Sequence, residues 1–185
     1  MYFTDLISRP DAKALFEFWL EKRGSRLLPT RRDIDPTGIP PHILPNLFLY
    51  RREDDRRFRC ALAGTGIVRI DGCDATGHML DDVHSRFGGD NLPALFYEVA
   101  RTALPIYCAG ESQGANDTRR QFWRILLPVG DVGASVEYIF GLFGISSIKG
   151  QSMGWSSRSQ GATTLEVLRA LPTEFPGPAG LHRFG

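Results

Sequence analysis

The sequence predicts an α+β fold: a five-stranded antiparallel sheet with short helices on one face and an added N-terminal helix. Three observations carry this. Two long runs of aromatic and β-branched residues, Arg119 to Val129 and Val136 to Ile145, flank the loop G-D-V-G-A, which is a hairpin signature. Gly64, Gly66, Gly72 and Gly77 cut the middle of the chain into pieces too short for long helices. Between these regions stands one amphipathic helix, with Leu92, Leu95, Phe96, Val99 and Ala103 at helical spacing ahead of Pro105. With 185 residues, 42% of them hydrophobic, the chain can bury one sizeable core. The organisation is a helix and proline-rich strap over 1–46, packed on a core over 47–150, then a partly irregular tail over 151–185.

Taken in order, Ser8 and Asp11 stand three apart ahead of an apolar-periodic stretch, a capping-box-like start for a helix from Pro10 to Arg23. Ala12, Leu15, Phe18 and Trp19 share one face of it, and Gly24 supplies a left-handed stop. A face bearing Leu15, Phe18 and Trp19 is too apolar for water and must lie on its own domain or on a partner copy, so these three are the interface candidates. Pro29, Pro36, Pro40, Pro41 and Pro45 stiffen the strap, and Asp35 is placed to cap a short helix beginning at Pro36. Arg31, Arg32, Asp33 and Asp35 alternate in sign and read as ion pairs that pin the strap down.

Leu47–Tyr50 and Phe58–Ala63 read as an antiparallel pair joined by the exposed loop R-R-E-D-D-R-R. One-turn helices are expected around Ile67–Asp71 and His78–Val83, and Asn91 is the expected cap of the amphipathic helix. A short strand near Ile106–Ala109 precedes the long hairpin. In that hairpin Trp123, Ile125 and Leu127 point one way while Phe122 and Leu126 point the other, so both sheet faces need cover. The central helices supply one cover and the N-terminal helix the other. The tail is expected to hold one short helix around Thr163–Ala170.

Charge and cysteine usage exclude several classes. Twenty-two basic against twenty-one acidic residues create no field for nucleic acid. The arginines around Glu53, Asp54 and Asp55 lack interleaved stacking aromatics and read as a solvated loop. Cys60, Cys73 and Cys108 are an odd set without C-x-x-C spacing, which fits a reduced cytoplasmic setting and neither a disulfide framework nor a zinc site. The start carries no basic region followed by an apolar run, and no stretch approaches bilayer length, so no membrane partner is expected. His42, His78, His84 and His182 complete no metal set with neighbouring cysteines or carboxylates. The serines sit in no nucleophile elbow, the glycines in no phosphate loop, and Asp54–Asp55 and Asp81–Asp82 diverge as adjacent pairs. No catalytic residue is assigned.

In sequence order, the markers Arg31–Pro36 (R-R-D-I-D-P), Leu44–Leu49, Phe58–Thr65 and Gly72–Leu80 resemble bacterial PAS-type sensor domains. The resemblance is to the subfamily long catalogued only as a domain of unknown function, and it covers roughly Phe16 to Ile145. It implies that small ligands sit between the inner sheet face and the longer helix. By position the lining would be Cys60 or Leu62, Ile67, Ile70, Phe96, Val99, Trp123, Ile125 and Phe140, with filled core as the competing account. Any ligand there should be apolar or aromatic. Haem is disfavoured because the longer helix has no histidine, and flavin because no asparagine-cysteine-arginine string occurs. The job implied is non-enzymatic sensing or protein interaction, through a homodimer or a separate signalling protein, since no output module follows the core. A small-molecule-binding enzyme or carrier would instead require a polar, titratable cluster in the cavity, and a ligand-free interaction module is the third reading.

Overall fold

The computed structural model describes residues 2–84, 92–113, 119–130, 135–147 and 160–174. Chain order is α1 (Phe3–Leu6), α2 (Pro10–Arg23), β1 (Leu47–Arg52), β2 (Phe58–Ala63), α3 (Thr65–Asp71), α4 (Leu80–His84), α5 (Leu92–Thr102), β3 (Ile106–Gln113), β4 (Arg119–Gly130), β5 (Val136–Ser147) and β6 (Gln160–Arg169). The strands form one antiparallel sheet in the order β2-β1-β5-β4-β3-β6. The sheet therefore has six strands rather than five. The addition is β6, which replaces the helix expected around Thr163–Ala170 and pairs with β3 from Ile106 to Gln113. Leu165 and Leu168 have helical spacing, but a long unpaired β3 edge offers the segment a full ladder of backbone hydrogen bonds, and that pairing outweighs local pattern.

Helix α2 spans the expected residues and ends at Gly24, whose N–H still donates to the Leu20 carbonyl at 3.0 Å and whose φ of 56° then turns the chain out of the helix. Its start differs from the expected capping box. Arg9 is the N-cap and offers no side-chain cap, while the two predicted partners reach the sheet instead. The Ser8 hydroxyl lies 3.0 Å from the Tyr107 hydroxyl, and Asp11 accepts from the Trp123 indole N–H at 3.2 Å. α2 packs on β4 and β5. The Trp19 indole donates to the Pro128 carbonyl at 2.8 Å, and Leu15 is wholly buried. Phe18 lies under the strap, where a Cβ on Gly38 would come within 2.9 Å of its ring. Leu15, Phe18 and Trp19 are thus core, which corrects their reading as an interface: the chain's own sheet and strap take up the whole apolar face.

The strap is held by Asp33, which pairs with Arg26 at 2.9 Å and accepts from the Thr30 N–H and hydroxyl, each at 2.7 Å. Burial alone would raise its pKa, but these bonds hold it at about 2. The partner is Arg26, outside the alternating set. Asp35 does cap the turn at Pro36, accepting from Thr37 N–H at 2.9 Å. Asn91 and the loop after Gly130, as well as His182, lie outside the described residues.

Residues paired directly across an antiparallel ladder share a face, so register sorts the sheet's two sides. Trp123 pairs with Gly144, Ile125 with Leu142 and Leu127 with Phe140, and all six belong to the α2 side. Gly144 is required there because a Cβ would strike the Trp123 indole. On the other side Phe122, Arg124 and Leu126 oppose Ile145, Phe143 and Gly141, and Gly141 in turn opposes Phe48. Phe48 stacks on Phe96 of α5, so this is the inner face, covered by the helices of the middle.

Candidate ligand-binding site

The inner face is built from alternate residues of β1, β2 and β4. β1 contributes Phe48 and Tyr50, β2 contributes Phe58 and Cys60, and α5 lays Phe96 across them. Phe96 lies 5.1 Å from Tyr50, 5.4 Å from Phe58 and 6.0 Å from Phe48, in edge and stacked arrangements that aromatic rings prefer. Only 1% of Phe96 is exposed, so this end is filled core. β2 is stitched to the loop after α3, with the Cys60 N–H on the His78 carbonyl at 2.9 Å and the Gly77 N–H on the Cys60 carbonyl at 2.8 Å. That loop covers the free edge of β2.

The other end of the inner face is polar. Arg124 projects from the middle of β4 with its guanidinium carbon 4.6 Å from the Phe143 ring and 5.4 Å from the Phe122 ring. It shares the field of Asp71, the last residue of α3, and of Tyr50. Asp71 is half-buried, and that burial raises its pKa to about 6 against the opposing pull of Arg124. Burial also raises Tyr50, with the Cys60 thiol adding to the shift, and takes the Cys60 thiol up to about 11. Cys60 is consequently a neutral thiol near pH 7, hydrogen-bonded to the Tyr50 hydroxyl and without thiolate reactivity. Among the described residues no group of three His, Cys, Asp or Glu side chains is placed to hold a metal ion.

The structure brings together only some of the residues expected to line the cavity. Cys60 and Phe96 meet on the inner face; Val99 and Ile67 are buried on α5 and α3, and Ile70 is half-buried. Leu62 is 44% exposed, because a register shift between Leu49 and Tyr50 sets it opposite Leu49 instead of behind Cys60. Trp123, Ile125 and Phe140 lie on the α2 side of the sheet, separated from Phe96 by the sheet itself. The expected lining mixed two faces of one strand. Read on its own period, β4 places Arg124 between Phe122 and Leu126, and that alternation was the signal for the charged residue the sequence reading omitted.

On the α2 side an open groove of ≈ 580 Å³ runs beside Ser8, Arg9, Glu111 and Gln121. Its guanidinium is already committed, since Arg9 stacks 4.0 Å over Trp123 and donates to Gln121 at 3.1 Å. The inner face is the better candidate site.

A family model described as a PAS domain matches residues 7–143, from just ahead of α2 into β5. This chain belongs to the PAS domain family. No curated protein and no solved structure matches it. The PAS assignment fits the α+β architecture and a signalling or sensor module in general, and it leaves β6 outside the matched range. Among the described residues no helix is long and apolar enough to cross a membrane.

Proposed function

We propose that this PAS domain is a non-enzymatic sensory or regulatory module of bacterial signalling, which binds a small molecule on the inner sheet face and passes the change to a partner protein. The observation that carries this reading is that two half-buried ionisable residues, Asp71 and Arg124, stand on separate elements of the inner face within reach of each other's charge. Burying opposite charges costs several kcal/mol in desolvation, and a packed apolar pair would serve stability as well. Ionisable groups retained at such a place mark a functional surface. The neutral Cys60 thiol favours binding over covalent catalysis. A polar handle also changes the expected ligand from purely apolar to one with an apolar body and a polar head. Native mass spectrometry of freshly purified protein, set against its denatured mass, tests the reading. A retained small molecule supports it; identical masses across preparations would leave a ligand-free interaction module in its place.

A further inference from the structure

We propose that the outer edge of β6 is the surface through which two copies of this chain pair, strand against strand about a two-fold axis at Leu165. This interaction goes beyond the ligand-binding reading and does not depend on it.

Backbone polarity supplies the template. The Ala170 N–H donates to the Pro105 carbonyl at 3.1 Å, and β6 keeps an unbroken register with β3 from Arg169 back to Thr164. Backbone groups alternate sides along an antiparallel strand, so Leu168 and Glu166 turn theirs to β3 as well, while Leu165, Val167 and Arg169 turn theirs outward. β6 is the last strand of the sheet, and among the described residues no strand pairs with that outer side. The opposite edge is filled differently, since the loop after α3 occupies both backbone groups of Cys60 on β2.

Side chains point the same way. Edges that stay single are usually guarded by lysine or proline, and Gln160–Arg169 contains neither. The Arg169 side chain is drawn back to Glu98 of α5 in a two-bond pair at 2.5 and 3.0 Å. The large hydrophobic side chains left exposed among the described residues are Tyr2, Leu62, Leu165 and Leu171, and three of these four gather along β6. Leu165 lies within the strand and Leu171 just past it, while Tyr2 precedes Phe3, whose N–H shares the Glu174 carboxylate with the Leu171 N–H.

Symmetry identifies the occupant as a second copy. An edge that pairs antiparallel with itself has a two-fold axis through the sheet, so each residue meets one on its own face. With the axis at Leu165, that side chain meets its own counterpart, and Glu166 falls opposite Thr164. Moving the axis by one residue would set Glu166 against its own counterpart, which like charge disfavours. This pairing closes after two copies, whereas β6 against β2 would run head to tail without closing. A formal charge of +1 leaves little repulsion between copies.

Light scattering and sedimentation velocity of the full chain over a dilution series are expected to show a monomer–dimer equilibrium. Leu165→Lys and Leu165→Glu each set like charges on the axis and should weaken self-association at least about tenfold, while an equimolar mixture of the two should recover the dimer. Both variants should keep the parent's urea midpoint at high dilution, because Leu165 is exposed in the single chain. Amide hydrogen exchange at Val167 in the parent should slow as the dimer forms. A full chain that stays monomeric throughout, a dimer that neither charge weakens, or a mixture no more associated than its components overturns the proposal. Protection of the Val167 amide in a monomeric chain would put another segment of the same chain on the edge and overturn it too, and this readout decides even if a charged variant fails to fold.

Discussion

Asp71 is a carboxyl that burial pushes well above its ordinary range. The folded chain holds its proton up to about pH 6, whereas an unfolded aspartate releases it near pH 4. The fold binds the proton more tightly across that window, so this carboxyl makes stability fall as pH rises from about 4 to about 6 and adds no further slope above it. Asp71→Asn removes the charge that is costly to bury and should gain about 1–2 kcal/mol over the parent at pH 7.5, discounted for partial exposure, and nothing at pH 4. Urea unfolding of both proteins at the two pH values measures the difference, and taking the difference cancels Asp33, which shifts the opposite way. Parallel pH dependences in parent and variant would show that Asp71 titrates normally. Composition gave no sign of this residue, because a helix-terminal Asp ordinarily faces water. Only the fold sets the end of α3 within the field of Arg124.

Among the elements, α2 shows what periodicity can and cannot decide. Its span, its apolar face and its stop at Gly24 were all legible from spacing and residue type. What covered that face was not, since an apolar stripe looks the same whether it meets its own sheet or a second copy. Long-range partners decide the matter: Pro128 for Trp19, the strap at Gly38 for Phe18, and Trp123 for Asp11. Leu15→Ala is therefore expected to cost about 2–5 kcal/mol of stability, as a cavity in a fully buried site does, and to leave the oligomeric mass unchanged. Chemical denaturation together with multi-angle light scattering reports both quantities. A change of mass without loss of stability would return the helix to the interface reading. The two faces of β4 carry the companion lesson. Strand identity followed from its aromatic and β-branched run, yet assigning Trp123 and Ile125 to the cavity ignored that Phe122, Arg124 and Leu126 occupy the opposite side.

At the scale of the whole molecule, β6 lies outside the span that matches the PAS family, yet it is bound into the structure at three places. It pairs with the full length of β3, Arg169 holds Glu98 of α5, and just past the strand Glu174 accepts from the Phe3 N–H at 2.6 Å and the Leu171 N–H at 2.8 Å. The segment that closes the sheet also anchors α1 and the helix lying over the candidate site. Its sequence hid this, because strand pairing is a property of the edge it joins and helical spacing of Leu165 and Leu168 pointed elsewhere. A chain ended at residue 159 would leave β3 from Ile106 to Gln113 as a bare edge of unpaired N–H and C=O groups, a template for intermolecular pairing. The truncated protein is expected to unfold at lower urea than the full chain and to associate beyond the full chain's state in light scattering. An equal urea midpoint with an unchanged association state would mean that the five remaining strands suffice, and that β6 is an accessory to the sheet rather than its closing edge.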